Sequence, residues 1–117
     1  MNSPRRPLHV GVCYDLGPAF VDKLRLVFPD IRFTFACTPS EQRKVAPEVD
    51  VIFGSLDREA FVSASRLRWY HFIGVGFDSV LRRVPEFKDS GVMMTNARST
   101  HVIPMSEYAL GMMLSLA

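Results

Sequence analysis

Two short segments hold the groups best suited to chemistry. Ile73 to Asp78 reads I-G-V-G-F-D, with a glycine on each side of Val75. Glycine accepts positive φ and lets a ligand come close to the backbone. Consecutive N–H groups in such a turn form a concavity for an anion. A carboxylate held by the N–H groups of Val75 and Gly76 needs no charged side chain. A tight strand-to-helix turn that binds nothing uses the same residues, because a lone G-x-G is a weak signal. The second segment is Gly54-Ser55-Leu56. Gly54 permits close approach, Ser55 offers a hydroxyl, and Leu56 offers an apolar contact to a ligand side chain. Taken in isolation, these residues also read as the N-cap region of a helix that follows at Asp57.

The remaining candidates are less directed. Asn96 to Glu107 reads N-A-R-S-T-H-V-I-P-M-S-E. Asn96 and Thr100 can bond free backbone groups of a loop, and Pro104 suits the first turn of a helix. Glu107 is the lone charge inside that apolar helix; there it needs a partner or serves as a first-turn acid favoured by the helix dipole. His71, flanked by Tyr70 and Phe72 in a strand pattern, reads as a packed histidine, as does His9. His101 falls near the mouth of the expected cleft, but no carboxylate at a suggestive spacing orients it for catalysis. Cys13 and Cys37 lack any C-x-x-C or Cys/His metal spacing and read as small buried hydrophobes near strand ends. Met93, Met94, Met105, Met112 and Met113 read as core and contact residues.

Composition narrows the function classes. A net charge of +2 with scattered basic residues gives no basic stripe, so nucleic acid is not an expected partner. The N-terminus lacks the apolar run of a signal peptide, and the last helix is too short and interrupted for a membrane span. The expectation is a cytoplasmic, reduced protein.

The elements that must position these groups alternate. Residues 1–7 read as a disordered lead. Leu8–Tyr14, Ile31–Cys37, Asp50–Gly54, Leu67–Ile73 and Gly91–Thr95 read as strands. A helix opened by Gly17-Pro18 carries Phe20, Leu24, Val27 and Phe28 on one face. Thr38–Val49 reads as a loop with a helical turn, Asp57–Ser65 as a helix with Ala60, Phe61 and Ala64 inward, and Ser79–Glu86 as a short helix. Strand–helix alternation implies right-handed crossovers and a parallel sheet. Five strands in 117 residues give a flavodoxin-like open α/β sheet, order 2-1-3-4-5, over residues 8–100. Ligands of such sheets sit at the carboxyl ends of the strands, which singles out the loops after Phe53, Ile73 and Thr95. Residues 101–117 form a closing helix, apolar on nearly every side. A helix of that kind is covered on more than one face, so the expectation is either pairing with another molecule or a missing second half.

The run LRWYHFIGVGFDSVL followed by GVMMTNARSTHVIPMSEYALGMMLSLA resembles the N-terminal, substrate-binding segment of the D-isomer-specific 2-hydroxyacid dehydrogenases. The matching positions are Gly74, Gly76, Asp78, Asn96, Pro104 and Glu107. The resemblance covers Trp69 to Ala117 closely and Leu8 to Arg68 mainly in topology. It implies hydride exchange between NAD or NADP and a small 2-keto or 2-hydroxy acid, in a cleft between two domains. It implies that the backbone of Val75 and Gly76 holds the substrate carboxylate and that Gly54, Ser55 and Leu56 border the pocket for its variable group. It implies that Met105 lies near the nicotinamide, and that the C-terminal helix crosses to a Rossmann domain and lines a homodimer contact. The family's dinucleotide motif, catalytic Arg, Glu and acid/base His have no counterpart in these 117 residues. Gly74 to Gly76 is followed by Phe-Asp-Ser-Val and does not complete the fingerprint. No catalytic residue is therefore assigned, no cofactor is expected to bind this chain tightly, and the chain alone is expected to be inactive. Met105-Ser106 and Tyr108 depart mildly from the family pattern.

The alternative is a stand-alone flavodoxin-like module for binding or oligomerisation. A receiver domain wants an acidic pair after the first strand, an Asp after the third and a Lys after the fifth. Those places read Tyr14-Asp15, Gly54-Ser55 and Asn96-Ala97-Arg98. A flavodoxin wants a phosphate loop after the first strand, where Asp15-Leu16-Gly17-Pro18 stands. An oligomerising module without catalysis passes both tests.

Overall fold

A computed structural model describes residues 5–117. Its strands are β1 (Leu8–Cys13), β2 (Ile31–Phe35), β3 (Val51–Gly54), β4 (Trp69–Phe72) and β5 (Met93–Asn96). They form one five-stranded sheet in the order β2-β1-β3-β4-β5, with every pairing parallel. The α/β class, the flavodoxin-like topology and the strand order agree with the sequence reading. The helices are α1 (Pro18–Val27), α2 (Pro39–Val45), α3 (Arg58–Ser63), α4 (Asp78–Arg83) and α5 (Val102–Leu116), with 3₁₀ turns at Ala46–Glu48 and Pro85–Asp89.

Strand register separates the two faces of the sheet. Ile52 pairs with Tyr70 and Tyr70 with Met94, so these point to one side. On that side α2, α3 and α4 cover the sheet, and Ile52, Phe61, Tyr70, Val80, Val84 and Phe87 form the buried core. Phe61 stacks on Phe87 at 4.8 Å between ring centroids. The next row, Val51, Trp69 and Met93, points to the other side. There α1 packs against β2 at the sheet edge.

Several expectations change. The α1 side chain that reaches the core is Val21, whereas Phe20, Val27 and Phe28 are exposed. Pro39–Val45 is a true helix: the hydroxyl of its N-cap Thr38 accepts from the Glu41 N–H at 3.3 Å while Glu41 accepts from the Thr38 N–H at 3.0 Å, a reciprocal capping box. Strand β2 stops at Phe35, which leaves Cys37 exposed while Cys13 is buried. Among the methionines named above, Met94 packs against the core, and Met93, Met105, Met112 and Met113 are exposed.

At the amino ends of the strands Asp50 knits three of them together. Its carboxylate accepts from the His9 N–H at 3.0 Å and from the Arg6 guanidinium, and its carbonyl accepts from the Arg68 N–H at 2.9 Å. His9 is buried, with Nδ1 3.2 Å from the Glu48 carbonyl and Nε2 2.8 Å from the Thr34 hydroxyl. It is a packed histidine, as expected. Of the lead assigned to residues 1–7, positions 1–4 lie outside the described residues.

Candidate ligand cradle at the carboxyl ends of the strands

The candidate loops follow β3, β4 and β5, neighbours in the sheet. Phe53 pairs with His71 and Phe72 with Asn96, so the three loops leave the sheet side by side. The turn after β4 carries Ile73 to Phe77, and α4 begins at Asp78. It is tied to the β5 loop by two bonds. The Ala97 N–H donates to the Gly74 carbonyl at 3.1 Å, and the Asn96 side-chain amide donates to the Val75 carbonyl. Val75 is 46% exposed and Gly76 is exposed. The N–H groups of both find no acceptor among the described residues. Two neighbouring free amides at the tip of a parallel strand can each donate to a carboxylate oxygen.

The turn does not depend on positive φ. That conformation occurs at Gly54, with φ +113°, and not at Gly74 or Gly76. A Cβ at Gly54 meets the Cys13 carbonyl oxygen at 2.7 Å, so any larger residue there collides with backbone. A Cβ at Gly76 meets nothing within 4 Å. The two glycines therefore serve different ends: Gly54 lets β3 pass close to β1, and Gly76 leaves open space over the turn.

The β3 loop is built into the fold. The Ser55 hydroxyl donates to the Cys13 carbonyl at 2.9 Å and accepts from the Gln42 side-chain amide at 2.9 Å. Gln42 also accepts from the Asp57 N–H at 2.8 Å. Leu56 is buried. Asp57 caps α3, accepting from the Ala60 N–H at 3.0 Å, and Arg43 grips its carboxylate at 2.9 and 3.2 Å. That guanidinium holds the Asp57 carboxyl below the usual carboxylate range, with the cap bond adding to it. A cavity of about 320 Å³ opens beside this loop, lined by Cys37, Gln42, Ser55, Leu56 and Arg83 among others. Gln42 escaped the sequence reading because it lies in a polar stretch; the Thr-x-x-Glu spacing around it was the available signal.

The other candidates fall outside this cluster. His71 stacks on Phe53 at 5.5 Å and bonds the Thr95 hydroxyl at 2.8 Å, a packed residue as expected. His101 and Glu107 are exposed on the closing segment. Met105 is exposed on α5. Cys13 is pushed up to about 12 by burial, which keeps it a thiol. Among the described residues no group of three or more His, Cys, Asp and Glu could hold a metal ion, and no helix is long and apolar enough to cross a membrane.

The described residues do not form a dinucleotide cradle. Gly74 and Gly76 have no third glycine, and the helix they lead into starts with Asp78, whose negative charge opposes a pyrophosphate.

No family model and no curated protein sequence matches the chain. Among solved structures it is similar to the crystal structure of phosphoglycerate dehydrogenase from Lactobacillus plantarum, with a TM-score of 0.61 and 20% sequence identity. The match covers 92% of this chain and 34% of that one. At this identity the likeness is one of fold, and the chain spans about a third of the length of the protein it resembles.

Proposed function

We propose that the chain is the substrate-binding portion of an NAD(P)-dependent D-2-hydroxyacid dehydrogenase and takes a small 2-keto or 2-hydroxy acid. The observation that supports this best is the pair of free amides at Val75 and Gly76, on an exposed turn at the carboxyl end of β4. The likeness of fold to a phosphoglycerate dehydrogenase supports it from a different direction. In this reading the amides of Val75 and Gly76 bind the substrate carboxylate. Gly54, Ser55 and Leu56 border the pocket for the variable group, with Leu56 giving the apolar contact and Ser55 held rigid by Gln42. Met105 approaches the nicotinamide. Hydride exchange uses a dinucleotide held by a separate unit, so no chemical step is assigned to these 117 residues. The protein works in the cytoplasm as a homodimer.

The test is calorimetric titration of the chain with glyoxylate, hydroxypyruvate and phenylpyruvate, together with an NADH-oxidation assay on the same samples. The reading expects weak binding that disappears when the acid is replaced by its amide, and no turnover. Robust turnover by the 117-residue chain, or equal binding of acid and amide, contradicts it.

A second reading, a flavodoxin-like module for oligomerisation, is favoured by the exposed apolar length of α5. It expects no binding of keto acids at all.

A further inference from the structure

Both amides of the candidate cradle are held from behind. A peptide unit is planar and trans, so its N–H points opposite to the carbonyl of the preceding residue. The Val75 N–H therefore shares a plane with the Gly74 carbonyl, and the Gly76 N–H shares one with the Val75 carbonyl. Those two carbonyls are the ones that the β5 loop grips. Ala97 donates its backbone N–H to Gly74 at 3.1 Å, and Asn96 donates its side-chain amide to Val75. Consecutive residues of one loop thus clamp consecutive peptide units of the other.

The consequence is directional. Both carbonyls turn toward the β5 loop, because the chain bends from Ile73 to Val75 instead of staying extended. Both N–H groups then face away from that loop, on a turn where Val75 and Gly76 are exposed. A carbonyl that accepts a hydrogen bond also polarises its own peptide, which makes the N–H of that unit a stronger donor.

Aim matters more here than charge. From Ile73 to Leu81 there is no Lys or Arg, and the one ionisable side chain is the carboxyl of Asp78. In this segment an anion gains from backbone amides and is repelled by Asp78. Hydrogen bonds weaken steeply once the donor angle falls below about 120°. A peptide plane free to rotate would lose the site.

The two clamps differ in kind. The one at Ala97 is backbone, which any residue but proline supplies. The one at Asn96 is a side chain, and only a donor can serve a carbonyl oxygen. Its base is fixed, since Asn96 ends β5 and pairs with Phe72 of β4. The orientation of the Gly76 amide thus rests on one side chain, and that of the Val75 amide on none.

We propose that Asn96 is a positioning residue: by holding the Val75 carbonyl it aims the Gly76 N–H, at the opposite edge of the same peptide plane, toward the carboxylate of an organic acid. The inference rests on the reading of this turn as a carboxylate site and deepens it. Asn96 acts through the peptide unit and needs no contact with the acid.

The test compares proton–nitrogen NMR spectra of the native chain with those of Asn96→Leu, which keeps the bulk and removes the donor. Asn96→Ala gives the same readout should the leucine variant fail to fold, and circular dichroism checks both. In the free protein the variants should show faster hydrogen exchange and a displaced resonance at Gly76, with Val75 little changed. On titration with glyoxylate the native chain should shift both amides. The variants should keep the response at Val75, lose the downfield response at Gly76 and bind about tenfold more weakly, the effect of one hydrogen bond to a charged group. A purely structural role would loosen the turn and move both amides together, which overturns the proposal. A native response that the variants share in full overturns it alone and leaves the carboxylate reading standing. No glyoxylate response at either amide of the native chain overturns that reading, and the proposal with it.

Discussion

The Tyr70 hydroxyl donates to the Gly54 carbonyl at 2.9 Å, and this bond ties the middle of β4 to the end of β3 in a region with no access to water. Tyr70 has 0% exposure and is pushed up in pKa by burial, so it stays a neutral donor at all working pH values. The bond fixes the point at which the β3 loop departs. Tyr70→Phe removes the donor and leaves a buried carbonyl unpaired, at a cost of about 1–3 kcal/mol. Urea denaturation should show that loss, and hydrogen exchange should be faster at Ser55 while β1 is less affected.

The two glycines separate fold from cradle. Gly54→Ala must fit a Cβ 2.7 Å from a carbonyl oxygen at φ +113°. We expect destabilisation of about 2–4 kcal/mol, from left-handed strain plus collision. Gly76→Ala meets nothing within 4 Å and is not at positive φ, so stability should change by less than about 1 kcal/mol. Thermal denaturation of the two variants side by side checks the contrast; equal losses would mean that the turn at Gly76 is more crowded than described.

Gln42 is 3% exposed and serves both the Ser55 hydroxyl and the Asp57 N–H. Gln42→Leu keeps the bulk and leaves both groups short of a partner. A loss of about 2 kcal/mol is expected, with α3 fraying first because its cap residue is loosened. Unchanged stability would show that water replaces both bonds.

His9 gives the chain a dependence on acid. Burial, then the charge of Arg32, lowers its pKa below the ordinary 6.5, against smaller opposing effects of Glu48 and Asp50. The folded state therefore binds the proton less well than the unfolded chain. The stability contributed by neutral His9 is complete above pH 6.5 and falls as pH drops below it, until the depressed folded value is passed. Denaturant midpoints measured between pH 7.5 and 5 should decline for the native chain and be flatter for His9→Gln. An equal decline in both would assign the effect to carboxylates instead.

Much of the architecture was legible because each strand is a short apolar run bounded by a turn signal, as in Asp50–Gly54, and the order of strands follows from alternation with helices. What failed to read had local causes. Helix α2 was hidden by two prolines and a polar composition, although Thr38 and Glu41 stand at capping-box spacing. Phe20, Leu24, Val27 and Phe28 share one face of α1 by spacing, but apolar spacing does not report whether a neighbour covers that face. Val21 reaches the core instead. In the candidate loops the glycine at positive φ is Gly54 and not either glycine of the G-x-G turn. The engagement of Ser55 by Gln42 is a contact across 13 positions, which no local pattern reports.

The central claim is that the Val75 and Gly76 amides bind an organic acid. The most direct measurement is a proton–nitrogen NMR titration of the labelled chain with glyoxylate. The account predicts saturable downfield shifts of the Val75 and Gly76 amide protons, absent with glyoxylamide. Shifts confined to other residues, or none at either amide up to the solubility of the acid, would contradict it.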